Sequence, residues 1–113
     1  MKREDHIRLR HMLEAARDAR SFAEGKTRQD LDEDRQMVLA VVKSMEIIGE
    51  AASQVSRETQ ESLPELPWAD MIGMRHRLVH AYYDINLDVV WSTLRYDLPE
   101  LIKALQDVVE ESS

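Results

Sequence analysis

Apolar residues recur at steps of three and four along most of the chain, and four such runs organise it. Val38, Val41, Met45, Ile48, Ala52 and Val55 make one unbroken stripe, which predicts a helix over about 34–55. An earlier stripe, Ile7, Met12, Leu13, Ala16, Ala19 and Ala23, predicts a helix from about Arg3 to Ala23, stopped by Gly25. Thr27 can cap a short acidic turn through Asp30. From Ser56 to Pro67 the periodicity dissolves, and Pro64 and Pro67 forbid a regular helix. Pro67-Trp68 then reopens a helix expected to run to about Tyr83, since proline is tolerated in a first turn. Asn86 caps the last run, whose stripe is Val90, Leu94, Leu98, Leu101, Leu105 and Val108. Pro99 lies inside that run and predicts a kink or break near Asp97. The expectation is one all-α domain over 1–113, an up-and-down four-helix bundle with a kinked or split C-terminal helix.

The third helix carries more apolar surface than one bundle face requires. At about 100° per residue, Met74, Leu78, Ala81 and Ile85 fall within about 80° of Met71. Ile72, Val79 and Tyr83 form a second strip about 80–120° round, and self-association is the simplest way to cover it. These three are the expected interface of a two-fold homodimer.

Composition narrows the classes. Six Gly and Pro in 113 residues suit helices, and the absence of cysteine excludes disulfides, a thiol nucleophile and thiolate metal sites. The longest apolar run, Met37 to Val42, is far too short to span a membrane, and no apolar stretch follows the charged start Met1–Asp5. A cytoplasmic protein without membrane association is expected. The net charge of −7 argues against a protein that coats nucleic acid with its whole surface. Against that background, Met71 to Tyr83 contains no acid, while Arg75, His76, Arg77 and His80 crowd together. Chemistry should be sought there.

Arg75 offers a planar cationic fork suited to phosphate, and His80 can take or give a proton near neutral pH. Tyr82 adds a hydroxyl. Metal-free RNA cleavage needs such groups: a base for the ribose 2′-OH and a cation for the crowded phosphorane. The same residues also suit a plain cationic helix face that pairs with acids elsewhere. On an ideal helix Arg75 and His80 stand about 140° apart. Convergence therefore needs the long Arg side chain, a helix that unwinds near His80, or the partner's copy across a dimer axis. His76 and His80 have the i, i+4 spacing of a metal clasp, but no obvious third ligand accompanies them, and no metal or cofactor is expected. Glu46 and Glu50 share a face of the second helix, where Gly49 suggests a close helix approach. A nearly buried Glu50 could pair with Arg75 or orient His80, or serve only as a structural ion pair.

Arg75-x4-His80-x-Tyr82 resembles the Arg-x4-His-x-Tyr signature of HepT-like proteins of the HEPN superfamily. Agreeing words surround it: Ile47-Ile48-Gly49-Glu50-Ala51-Ala52, Pro67-Trp68, the stretch Ile72 to His80, Val90-Trp91 and Leu98-Pro99. The resemblance covers nearly the whole chain. It implies a helical-bundle toxin of a type VII-like toxin–antitoxin module, working as a dimeric, metal-independent RNase. Arg75 and His80 would be catalytic, with His76 supporting them. The implied partner is a minimal nucleotidyltransferase antitoxin that transfers AMP from ATP to the motif tyrosine, here Tyr82. The competing expectation is a non-catalytic HEPN module that docks a nucleotidyltransferase or a nucleotide through the same helix.

Overall fold

The computed structural model describes residues 1–81 and 84–111, with His80 and Ala81 described by their backbone only. Eight α-helices occur among these residues: α1 (Arg3–Phe22), α2 (Arg28–Glu33), α3 (Arg35–Gln54), α4 (Arg57–Ser62), α5 (Trp68–Ile72), α6 (Met74–Leu78), α7 (Leu87–Ser92) and α8 (Leu98–Glu111). A π-helical turn, Thr93–Asp97, joins α7 to α8. A two-stranded ribbon, β1 (Val79–Ala81) and β2 (Asp84–Ile85), follows α6. The architecture is the all-α bundle expected, with α1 packed along α3 and against α8, and α5 and α6 laid across α3. No helix among the described residues is long and apolar enough to cross a membrane.

The core follows the predicted stripes. Val41, Met45, Ile48 and Ala52 of α3, Leu9, Met12, Ala16 and Ala19 of α1, and Leu98 and Leu105 of α8 are fully buried in one core. Ile7, expected on the α1 stripe, is exposed, and Leu9 takes the core position instead. Local signals set the helix ends. Gly25 turns the chain after α1 at φ +73°, a conformation that favours glycine. Asp30 accepts from the Thr27 backbone N–H at 2.6 Å, Asp34 from Met37 N–H at 3.0 Å, and Asn86 from Val89 N–H at 3.1 Å. The last helical run bends its hydrogen-bond pattern where Pro99 predicts it. Proline has no N–H to give the carbonyl four residues back, and the turn ending at Asp97 is π-helical.

Two features depart from expectation, and a third adds to it. The stretch after Ser56 contains a short helix, α4, because the Ser56 hydroxyl caps it by accepting from Thr59 N–H. Secondly, the expected third helix is divided at Gly73 into α5 and α6 and ends at Leu78, not near Tyr83. There the Leu78 carbonyl accepts from Asn86 N–H at 2.7 Å, and β-branched Val79 is extended and pairs with Ile85. The helical angles drawn beyond Leu78 therefore do not apply.

Thirdly, Asp5 is 3% exposed and accepts from Ser56 N–H, the Ser56 hydroxyl and the Thr59 hydroxyl, at 2.9, 2.6 and 2.7 Å. Burial by itself would raise its pKa, but these hydrogen bonds together with the charge of Lys2 outweigh it and hold the carboxyl below its ordinary value. A carboxyl depressed in the folded state stabilises fully above its unfolded pKa, and that share is lost as pH falls through the folded value. Asp5→Ala leaves these donors without an acceptor in a buried place, so about 1–3 kcal/mol of stability should disappear at neutral pH. Urea melts should also show the difference between variant and wild type shrinking below about pH 4. An unchanged midpoint at pH 7 would show that the network carries no weight.

Candidate active site

The described part of the acid-free segment runs from the end of α5 through α6, both packed on α3, into β1. Met71, Met74 and Leu78 point inward and are buried, as the angular reading of this helix expects up to its true end. The approach to α3 is close at Gly49. A methyl group built there would lie 2.8 Å from the Met71 carbonyl oxygen, so backbone occupies the space of a side chain. This contact fixes the register of the two elements.

Register then decides which acid Arg75 meets. Gly49 lies against Met71, and the elements run in opposite directions, so four residues forward from Met71 corresponds to one turn back from Gly49. Arg75 Nε accordingly lies 3.7 Å from Glu46 Oε1. Glu50, one residue the other way, is exposed at a shallow depression shared with Arg8, His11 and Ile47. The expectation of a nearly buried Glu50 paired with Arg75 is thus corrected: Glu46 is the partner. The sequence marked both acids by their i, i+4 spacing, but choosing between them required the direction of packing.

Arg75 is tethered without being hidden. Its side chain stays 56% exposed, and Glu46 is 30% exposed, which leaves the guanidinium open to an incoming anion. His76 is exposed on the same short helix. Arg77 reaches across to Asp97 at 3.4 Å and ties α6 to the π turn. Of the expected interface, Ile72 is 41% exposed and Val79 is half-buried. Tyr82 and Tyr83 lie outside the described residues, as does the side chain of His80. The backbone of His80 is in the extended strand β1. One of the three routes to convergence with Arg75, unwinding before His80, is therefore present in the main chain.

The profile of the ribonuclease HepT-like family matches residues 12–108. The chain belongs to that family. Among similar proteins, the probable ribonuclease HepT of Thermococcus cleftensis is 34% identical over 101 residues, which cover 89% of this chain and 92% of its own length. A candidate RNase of Caldanaerobacter subterraneus subsp. tengcongensis is 31% identical over 103 residues, covering 91% and 92%. A candidate RNase of Methanocaldococcus jannaschii is 30% identical over 107 residues, covering 95% and 98%. No solved structure matches the chain significantly. As a HepT-like chain it presents Arg75 and the His80 backbone on one short helix-to-strand junction, inside the matched span.

Proposed function

We propose that this HepT-like chain is a metal-independent endoribonuclease and the toxin of a toxin–antitoxin module. His80 acts as acid and base, and Arg75 stabilises the phosphorane. The His80 imidazole takes the proton of a ribose 2′-OH while O2′ forms a bond to the adjacent phosphorus. The bond from phosphorus to the 5′-oxygen breaks, that oxygen takes the proton His80 has accepted, and a 2′,3′-cyclic phosphate remains. Arg75 balances charge on the phosphoryl oxygens through its fork, and His76 supports this cationic edge. Glu46, at 3.7 Å, holds the guanidinium in place.

Family membership is the observation that carries this reading; the exposed, tethered Arg75 supports it. Incubating the purified chain with single-stranded RNA should release fragments. A well-folded protein that cuts no RNA would favour the alternative, a non-catalytic module that docks a nucleotidyltransferase or a nucleotide.

The proposed working form is a homodimer joined through Ile72, Val79 and Tyr83, with the two motif segments facing. Exposed Ile72 supports it, since a large aliphatic side chain at 41% exposure on the motif face gains from being covered. Val79→Asp should give monomers by light scattering and lose cleavage at the same time. A dimer that persists with the substitution would remove this face from the interface. The antitoxin in this proposal is a minimal nucleotidyltransferase that silences the RNase by transferring AMP to Tyr82.

A further inference from the structure

A second cationic site, lined by none of the motif residues, lies at the C-terminal end of α1. A cavity of about 470 Å³ opens between the C-terminal end of α1 and the π turn. Its size falls within the range of small-ligand sites, about 300–1,000 Å³. Arg17 and Arg20, one turn apart on α1, line it together with Lys26 and with Arg95 of the π turn. Glu24 is the one acid in the lining. The left-handed turn at Gly25 brings Lys26 back to this end of α1.

Four cations facing one carboxylate are conspicuous in a chain of net charge −7. Among the described residues, Arg28, Arg57, Arg75 and Arg77 all have ion-pair partners, whereas Arg17, Arg20 and Arg95 have none and Lys26 has only the more distant charge of Asp30. The carbonyl end of α1 contributes about half a negative charge, which offsets only part of one cation. Arg20 donates to the Leu94 carbonyl at 2.9 Å, which fixes its guanidinium at the rim and leaves other N–H groups for a ligand. The uncompensated charge therefore calls for an anion, and the arginine forks suit phosphate.

The cavity also has an aromatic wall. Trp91, half-buried, lines it beside apolar Leu94 and Ile102. Tyr96, 64% exposed, stands next to it with the Arg95 guanidinium 5.9 Å from its ring centre. Aromatic faces beside arginines stack nucleobases and hold the neighbouring phosphate, whatever the base. The geometry points to this cavity as a binding site for one nucleotide unit, its phosphate on Arg17, Arg20, Lys26 and Arg95 and its base on Trp91. The unit is either a free nucleotide or one residue of a single RNA strand. The site does not depend on the cleavage chemistry proposed for the motif.

The test uses the full chain carrying Arg75→Ala and His80→Ala, so that the motif makes no contribution. Binding of 5′-AMP, adenosine, inorganic phosphate and a tetra-adenylate RNA is followed through the Trp91 indole N–H signal in NMR. 5′-AMP should shift that signal and bind at least about tenfold tighter than adenosine or phosphate alone, since both parts of the unit are read. Arg17→Glu with Arg95→Glu should weaken it at least about tenfold, and Trp91→Ala, which lacks the indole reporter and is followed by isothermal calorimetry, should remove the advantage of AMP over phosphate. Both arginines are exposed, and circular dichroism checks that the variants fold. Tighter binding of the RNA assigns the site to a strand; equal or weaker binding assigns it to a free nucleotide. No response of Trp91 to AMP or RNA at millimolar concentration would overturn the inference. So would binding that ignores the charge reversals, or phosphate binding as tightly as AMP.

Discussion

His80→Ala should reduce RNA cleavage by about 10²–10⁴-fold, the usual share of a positioned acid–base group, with the fold intact. His80 follows the end of α6 and lies in the short strand β1, and circular dichroism checks that the alanine variant folds. Arg75→Ala should cost about 10²–10³-fold, the loss expected when one preorganised donor to the developing charge is removed. Arg75 is exposed, and its sole ion pair within the described residues is the 3.7 Å contact with Glu46, so stability should hardly change. Arg75→Lys keeps the charge but loses the planar fork, and should recover only part of the rate. If both residues serve one transition state, the double variant should be little worse than His80→Ala. Assays of purified variants on one defined RNA would decide this. Retention of half or more of the activity by either alanine variant would remove that residue from the mechanism.

The second large effect concerns Tyr82. Incubation with the nucleotidyltransferase, ATP and Mg²⁺ should attach AMP to its hydroxyl. The phenolic oxygen bonds to the α-phosphorus, pyrophosphate leaves, and the phenolic proton passes to solvent. An ideal helix would bring Tyr82 nearly into register with Arg75, seven residues before it, but α6 ends at Leu78 and such a register cannot be drawn. What remains is proximity along the chain: Tyr82 directly follows the strand that contains His80. An added phosphodiester brings negative charge and bulk to the motif, where it competes with RNA phosphate for Arg75. Intact-protein mass spectrometry should show a gain of one or more AMP residues, peptide mapping should place AMP on Tyr82, and cleavage should fall to background. Tyr82→Phe should take no label and keep its RNase activity in the presence of the partner. Labelling at another residue alone, or full activity in the labelled protein, would sink this mechanism.

Much of the fold was legible because it depends on local chemistry. The α3 stripe, the Gly25 stop, the Thr27–Asp30 turn, the Asn86 cap and the Pro99 discontinuity each follow from residues within a turn or two of one another. What escaped depends on contacts distant in sequence. Asp5 is an ordinary exposed acid by sequence, and only packing brings Ser56 and Thr59 to it. Met71 to Ile85 keeps helical periodicity on paper, yet Leu78 gives its carbonyl to Asn86 and Val79 pairs with Ile85. The motif residues themselves were visible as residue types in an acid-free stretch. Their supporting acid was not, since Glu46 and Glu50 are equivalent until the direction of packing at Gly49 chooses between them.

The central claim is cleavage by this chain's own side chains, with the ribose 2′-OH as nucleophile and no metal ion. Its most direct measurement is cleavage of a defined RNA in excess chelator, beside the same RNA carrying one 2′-deoxy residue at the cut site. The account predicts an undiminished rate in chelator, a 2′,3′-cyclic phosphate on the upstream fragment and no cut at the deoxy position. Loss of activity in chelator that returns with a divalent metal, or cleavage that ignores the missing 2′-OH, would contradict it.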